Sequence, residues 1–155
     1  MIMDRIDRNI LAELQRDCAI SIAQLADRVG LSQSPCWKRV QKLEDARIIV
    51  GRVAVVDPLK VGLGLTVLAE LEALDHTTAW RSRFLAAVQS IPEIMEVFRL
   101  GGASDYLLRI VVPDMVRYDA IYRNLTDQIE LKSVTSKFVM ERVHVKATLP
   151  IDNGL

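Results

Sequence analysis

Apolar residues recur at helical spacing near the start of the chain. Ile6, Ile10 and Leu14 follow one another at intervals of four residues, which places them on one face of a helix. Asp17 and Cys18 then interrupt the pattern. The spacing therefore predicts a first amphipathic helix that ends near these two residues.

Two more short helices are predicted to follow. Ser21 can cap the second helix, and Gly30 is the residue type usually found just past a helix end. The third helix can be capped by Ser32, with Pro35 in its first turn, or by Ser34, with Pro35 at its first position. Both alternatives place small polar residues at its N-terminal end. The predicted buried stripe of the third helix consists of Cys36, Val40 and Leu43.

A stretch rich in β-branched residues follows the three helices. Ile48–Val56 predicts a strand, which Gly51 interrupts and Asp57-Pro58 ends. We interpret it as the junction of two units. The predicted organisation is a helical domain at residues 1–50, a strand linker at residues 51–63 and a second domain at residues 64–155.

The second domain alternates strand and helix patterns. Its predicted strands are Leu65–Leu71, Ile94–Leu100, Tyr106–Val112 and Val134–Val145. The buried face of its first predicted helix consists of Trp80, Phe84, Val88 and Ile91. The buried face of its second predicted helix consists of Tyr118, Ile121, Tyr122, Leu125 and Ile129. The order βαββαβ predicts a ferredoxin-like domain, so the whole chain is α+β with a winged-helix-like first domain. Helices would cover one face of the sheet. Apolar residues on both faces, such as Leu68, Leu108 and Val111, predict a dimer.

Composition shows that a positive charge able to bind nucleic acid would have to come from a local cluster of residues. The 20 basic and 20 acidic residues cancel, so the chain has no overall field that would draw it to nucleic acid or to an anionic membrane. No apolar run reaches membrane-spanning length and no basic, apolar leader is present, which predicts a cytoplasmic protein with no membrane partner. Cys18 and Cys36 are too few and too far apart for a disulfide framework or a thiolate zinc site.

The start of the predicted third helix carries the local charge. Three short helices with a glycine turn before the third are typical of a helix-turn-helix, whose third helix enters the major groove N-terminus first. Gln33 and Ser34 can hydrogen bond base edges, and Lys38, Arg39 and Lys42 can reach phosphates. Three basic residues alone are also typical of an ordinary solvent-exposed face of a helix. Together with the turn and the capped helix they favour a DNA-recognition helix.

Segments along nearly the whole chain resemble one known family. Asp4–Leu11 and "QLADRVGLSQSPCWKRVQKLE" resemble the DNA-binding domain of the Lrp/AsnC transcription regulators of bacteria and archaea. "IPEIMEVFRLGGASDYLLRIVVPD" and "VMERVHVKATLPI" resemble the effector domain of the same family. The resemblance implies a transcriptional regulator, not an enzyme, that needs no cofactor. It also implies a partner set of double-stranded DNA, a small amino-acid-type effector and a second copy of the chain, since the family binds as homodimers that often assemble into octamers.

The resemblance also implies roles for residues at the start of the third helix. Ser34 and Arg39 match DNA-facing positions, and Trp37 stands where relatives commonly carry an aliphatic residue. Packing at the shoulder of the helix and contact with a DNA sugar or thymine methyl group both remain open for Trp37. The predicted DNA-binding residues are Ser32, Gln33, Ser34, Pro35, Trp37, Lys38, Arg39 and Lys42.

A glycine-containing loop between two predicted strands is the candidate effector site. Backbone N–H groups of Gly102 and Ala103 can bind the carboxylate of a free amino acid, and Asp105 can bind its ammonium group. An ordinary hairpin turn, in which the aspartate satisfies local backbone groups, explains the same residues. The resemblance favours the effector site, because the family motif G-x-x-D-Y matches Gly102, Asp105 and Tyr106. The predicted loop contribution is Gly101, Gly102, Ala103, Asp105 and Tyr106.

The family resemblance places the rest of the effector pocket on a neighbouring dimer. The matching positions are Ser133, Val134, Thr135 and Ser136. Two departures from the family leave the polarity of the pocket open: Ala103 replaces an acidic residue of several relatives, and Glu130-Leu131 replaces a common Gly-Val.

Three functions are weighed from these patterns. The first is a sequence-specific, amino-acid-responsive DNA-binding regulator, and the second is a ligand-independent architectural DNA-binding protein. An enzyme is the third and the weakest, because His76 and His144 are far apart and match no metal-ligand spacing, and no phosphate loop, serine elbow or dinucleotide motif is present.

Overall fold

The computed structural model describes residues 2–151, which form two compact units. One unit contains the residues up to Val55 together with those from Val143 onward, and the other spans Val56–Arg142. Residue 1 and residues 152–155 of the predicted domains lie outside the described range. The C-terminal boundary also differs from the predicted one, because the structure groups residues 143–151 with the helical unit.

Three helices build the first unit. They are α1 (Arg5–Arg16), α2 (Ile22–Val29) and α3 (Gln33–Asp45). Asp4 caps α1, Ser21 caps α2 as predicted, and Gly30 ends α2 in the left-handed conformation with φ +71°. Their shared core consists of Ile10, Leu11, Ile20, Leu25, Ala26, Cys36, Val40 and Leu43.

The N-terminus of α3 confirms one part of its prediction and corrects another. Ser32 is the N-cap residue, as the first alternative has it, but its hydroxyl makes no capping hydrogen bond. An N-cap hydroxyl normally accepts from the second or third helical N–H. The third helical residue here is Pro35, which has no N–H to donate. The hydroxyl of Ser32 is therefore exposed without a capping role.

Arg39 joins α3 to the start of α1. Its Nη1 lies 2.7 Å from an oxygen of Asp4 and 2.7 Å from an oxygen of Asp7. Asp4 and Asp7 also form a capping box, in which each side chain accepts from the backbone N–H of the other residue. Asp7 is the one buried charged residue among the described residues, with 3% of its surface exposed. The ion pair therefore aligns the third helix on the first.

The C-terminal segment of the first unit packs on α1. The side chain of Gln15 accepts from the N–H of Leu149 at 2.6 Å, and its amide donates to the carbonyl of the same residue at 3.4 Å. Arg8 donates to the carbonyl of Ile151 at 3.2 Å, and Ile151 packs against the helical core. These contacts explain why the segment belongs to the helical unit.

The second unit confirms the predicted ferredoxin-like plan. Its elements are β1 (Leu65–Ala73), α4 (Thr78–Gln89), β2 (Ile94–Arg99), β3 (Tyr106–Val112), α5 (Met115–Gln128) and β4 (Leu131–Phe138), preceded by a short 3-10 helix at Leu59–Val61. The sheet order is β2-β3-β1-β4, and all three pairings are antiparallel. β1 is therefore a central strand, hydrogen bonded on both sides.

Alternate residues of the central strand face the two helices. Val67, Ala69, Leu71 and Ala73 are buried in the core of the unit. Trp80 and Phe84 of α4 stack at 5.1 Å between ring centroids, and the Trp80 indole donates to the carbonyl of Glu130 at 2.9 Å. The opposite sheet face is mixed, because ion pairs such as Glu72–Lys132 lie beside apolar side chains that include Leu68.

Two predicted strands are absent or shorter in the described chain. The segment predicted as a strand at Ile48–Val56 pairs with no other strand there, and the predicted strand Val134–Val145 is replaced by Leu131–Phe138. A strand needs a row of hydrogen bonds to a neighbouring strand. The N–H of Val139 donates to the carbonyl of Thr66 at 3.0 Å, but beyond that bond neither segment pairs with a strand within the described chain. Their side chains are exposed, with 89% for Val55 and 87% for Val143. The described part of the first unit consists of three helices without a β-hairpin, and this arrangement confirms the predicted helix-turn-helix domain.

Replacing Gly30 tests the turn that positions α3. The Cβ of Gly30→Ala would meet no atom within 4 Å, so the cost is the strain of a left-handed alanine, about 1–2 kcal/mol of unfolding free energy. Gly51→Ala is the matched control, because its Cβ is equally unobstructed and its φ is not positive. Chemical denaturation of both variants measures the difference. An equal effect of the two substitutions would show that the conformation of Gly30 does not constrain the turn.

A second prediction concerns the pH dependence of the α1–α3 ion pair. The N–H of Asp7 and the guanidinium of Arg39 hold the pKa of Asp4 below its usual value of 3.8. A lowered folded-state pKa gives stability that is present above the usual pKa and lost as pH falls through the folded-state value. We expect Asp4→Asn, which keeps a capping acceptor, to lower Tm at about pH 6 and to lose this effect toward about pH 3. A Tm difference that is independent of pH would contradict the role of the charge.

Candidate DNA-binding and effector sites

The outer face of α3 carries the predicted base-reading and phosphate-binding groups. Cys36, Val40 and Leu43 are buried on the inner face. Ser34, Lys38 and Lys42 recur at intervals of four residues on the opposite, exposed face. No ion pair engages Lys38 or Lys42 within the described residues, so both ammonium groups are free to meet phosphates.

Arg39 lies on the flank of α3 rather than on this outer face. Its guanidinium already bonds Asp4 and Asp7, and only 31% of its side chain is exposed. The sequence reasoning missed this pairing, although the spacing Asp4-x-x-Asp7 before an apolar stripe is a capping-box signal that indicates the start of α1. A DNA contact by Arg39 would have to be shared with, or taken from, this ion pair.

The other predicted residues of the recognition helix are accessible. Gln33 and Pro35 are exposed beside Ser34 at the N-terminal end. Trp37 is 51% exposed, so half of its ring surface packs and half remains available. This geometry fits both alternatives for Trp37, packing and DNA contact.

The glycine-containing loop connects β2 to β3 and is tied to the end of β1. The N–H of Asp105 donates to the carbonyl of Leu71 at 2.8 Å, and its carbonyl accepts from Leu100 at 2.8 Å. One carboxylate oxygen of Asp105 accepts from the N–H of Ala73 at 2.8 Å. Gly101, Gly102 and Ala103 form the exposed tip, where Gly102 has φ +152°.

The second carboxylate oxygen of Asp105 faces a small pocket. His76 Nε2 lies 4.0 Å from this oxygen. The pocket has a volume of about 270 Å³ and is lined by His76, Arg81, Arg99, Leu100, Asp105 and Tyr106. Asp105 is therefore compatible with both interpretations of the loop, an ordinary hairpin turn and an effector site. One of its oxygens accepts from the backbone, and the residue also lines a pocket of ligand size.

Three residues of this pocket escaped the sequence reasoning. His76 precedes α4, Arg81 lies in the first turn of α4, and Arg99 ends β2. No spacing in the sequence relates His76 or Arg81 to the loop, since only the packing of α4 brings them there. Arg99 carries a weak signal, because it stands two residues before Gly101.

The predicted contribution from residues 133–136 lies apart from the loop pocket within one chain. These residues are on β4, an edge strand. Ser133 bonds Glu72, Ser136 bonds the hydroxyl of Tyr118, and Thr135 is exposed. Ser133 and Val134 line a separate pocket of about 500 Å³. One chain therefore does not unite the two predicted halves of the effector site.

The described residues contain neither a candidate metal-ligand group nor a candidate membrane-spanning helix. No group of three or more His, Cys, Asp or Glu side chains in residues 2–151 could hold a metal ion. No helix in the same range is long and apolar enough to cross a bilayer.

Two domain families of known proteins match separate parts of the chain. The AsnC-type helix-turn-helix domain matches residues 3–44, and the Lrp/AsnC ligand-binding domain matches residues 66–149. The chain is 44% identical over 151 residues to the DNA-binding transcriptional activator DecR of Escherichia coli K12, covering 97% of this chain and 99% of the relative.

Solved structures show the same likeness. An AsnC family transcriptional regulator from Agrobacterium tumefaciens is 44% identical, with a TM-score of 0.93 over 99% of this chain and 100% of that one. A transcriptional regulator from Neisseria meningitidis, in complex with L-Met, is 31% identical, with a TM-score of 0.91 over 97% and 98% of the two chains. This chain is thus a DNA-binding transcriptional regulator with a ligand-binding domain and not an enzyme. It belongs to the Lrp/AsnC family of transcriptional regulators, as its sequence motifs indicate.

Proposed function

We propose that the chain is a sequence-specific regulator whose assembly and operator binding respond to a small amino-acid-type effector bound between dimers. The observation that carries this proposal is the carboxylate of Asp105, which lines a pocket of about 270 Å³ and has one oxygen that the hydrogen bond from Ala73 does not use. That pocket belongs to the same chain as a recognition helix with an exposed polar and cationic face. The L-Met complex of the Neisseria relative supports an amino acid as the effector class.

A homodimer is the proposed unit of DNA binding. Two segments with exposed apolar side chains, residues 50–56 and 140–145, belong to no strand of the described chain. Val53 is 80% and Met140 is 99% exposed, and such surface is normally covered by a partner. We propose that a second copy covers it and that dimers assemble further, to an octamer, so that residues 133–136 of one dimer meet the Asp105 loop of another.

The mechanism follows from this proposed geometry. An effector held between dimers favours the assembly that binds it, because a ligand shifts an equilibrium only through its differential affinity for the two states. A change in assembly alters how many recognition helices meet one DNA molecule, and avidity then changes strongly. We place this regulator in the cytoplasm.

An architectural DNA-binding protein that needs no ligand is the second candidate. One observation favours it: an oxygen of Asp105 already accepts from Ala73, so the aspartate has a structural role even without an effector. In that case no amino acid would change the thermal stability of the protein.

The exposed face of α3 is tested by separating its phosphate contacts from its base contacts. Lys38→Ala and Lys42→Ala should each weaken binding to all duplex sequences and reduce the salt slope by ~0.9 for each lost phosphate contact. Ser34→Ala should change sequence preference while leaving that slope unchanged. Lys60→Ala, an exposed lysine of the short 3-10 helix, is the matched control.

Fluorescence anisotropy titrations over a range of salt concentrations measure these effects. If Lys38→Ala and Lys42→Ala behave like Lys60→Ala, the recognition-helix assignment is wrong.

Two substitutions of Asp105 separate its ligand role from its structural role. Asp105→Asn keeps an acceptor for the N–H of Ala73 but loses the charge that binds an ammonium group. Asp105→Ala also leaves that N–H unpaired, which costs about 1–3 kcal/mol of unfolding free energy. We expect both variants to lose the thermal shift that amino acids produce, and only Asp105→Ala to be destabilised without ligand.

A thermal-shift panel of the twenty amino acids on the full chain provides the measurement. DNA titrations without effector control for the integrity of the helical unit. A normal ligand response of Asp105→Asn would remove Asp105 from the effector site.

A further inference from the structure

The pocket beside the Asp105 loop has an excess of positive charge. Two arginines and one aspartate line it, so the formal charges of these three residues sum to +1. Arg81 touches only the hydroxyl of Thr78, at 3.3 Å, and neither Arg81 nor Arg99 makes an ion pair within the described residues. A ligand that fills the pocket therefore meets two guanidinium groups that form no ion pair within the described residues, together with the carboxylate of Asp105.

The acids near the pocket form no ion pair with Arg81 or Arg99 within the described residues. Asp75 uses its oxygens to accept from the N–H and the hydroxyl of Thr77, at 2.9 Å and 2.8 Å. Glu72 is paired with Lys132 at 2.6 Å, so the ammonium group of that lysine is also compensated. Neither arginine therefore has an ion-pair partner among the described residues.

The groups of the pocket correspond to the charges of one ligand class. The free oxygen of Asp105 suits an ammonium group. Guanidinium groups bind carboxylates with two parallel hydrogen bonds, and two such groups suit two carboxylates. A neutral amino acid has only one carboxylate and would leave one arginine unpaired. An acidic amino acid has one ammonium and two carboxylate groups, and therefore matches the set.

We infer that the effector of this chain is an α-amino acid with an anionic side chain, of the glutamate and aspartate class, and that Arg81 and Arg99 determine this specificity. The inference rests on the proposed effector function and deepens it. The volume of about 270 Å³ lies below the roughly 300–1,000 Å³ of pockets for drug-sized ligands, as a small metabolite requires.

Isosteric pairs of amino acids test the inference on the full chain. Isothermal titration compares L-glutamate with L-glutamine and L-aspartate with L-asparagine, at one pH and one sodium concentration. The amide replaces one carboxylate oxygen by nitrogen, so charge is the main difference within each pair. We expect one of the acids to bind at least about tenfold more tightly than its amide. L-methionine serves as an unrelated neutral ligand.

Arginine variants link this preference to the pocket. Arg81→Gln and Arg99→Gln should each weaken binding of the acid by at least about tenfold and bring the acid-to-amide ratio close to one. Arg83→Gln is the matched control, since Arg83 is exposed on the same helix but does not line the pocket. An unchanged Tm of each unliganded variant shows that the pocket residues act on the ligand and not on folding.

The possible outcomes separate this inference from the proposed function. Tight binding of a neutral amino acid, with no gain from the second carboxylate, would overturn the inference and leave an amino-acid-responsive regulator. If Arg81→Gln and Arg99→Gln left binding of the acid unchanged, the effector would not bind in this pocket. If no amino acid bound at all, the proposed effector function and the inference would both be wrong.

Discussion

The hydrogen bonds at the end of β1 are the constraint on which the sensor unit depends. Asp105 bonds the carbonyl of Leu71 through its N–H and the N–H of Ala73 through its carboxylate, both at 2.8 Å. On its other edge the same strand end pairs with β4, where Leu71 lies opposite Val134. The loop proposed to bind the effector and the segment of β4 predicted to contact another dimer are thus both hydrogen bonded to the same end of β1. In the proposed function, a ligand that moves the loop acts on backbone that β4 shares, and this is the proposed physical path between the effector and the assembly interface.

The helical unit also depends on a small number of contacts. Arg39 aligns α3 on α1, so the exposed lysines Lys38 and Lys42 are the proposed phosphate-binding groups of the outer face. Two such contacts per helix give weak binding at physiological salt, because affinity follows the number of neutralised phosphates. In the proposed function several recognition helices therefore act together, and control of assembly is the proposed means of controlling DNA binding.

Sequence periodicity predicted the helices and the central strands well, because their buried faces are local patterns. It failed where structure depends on distant or absent partners. Val53 and Val143 belong to strand-like segments that have no neighbour in the described chain. The hydroxyl of Ser32 is unused because Pro35 removes the donor, an interaction that a capping rule alone overlooks. Arg81 reaches the effector pocket only through the packing of α4, so no motif could have indicated its role.

Reciprocal coupling is the most direct test of the central claim that one chain links an amino acid to DNA. The Kd of the effector is measured by isothermal titration on free protein and on protein saturated with a duplex selected from random sequences. Allosteric coupling of about 5–150-fold predicts two clearly different Kd values, with the same factor for DNA binding with and without effector. Identical effector Kd values in the two states would show that the sensor unit and the recognition helix work independently, and would contradict the account.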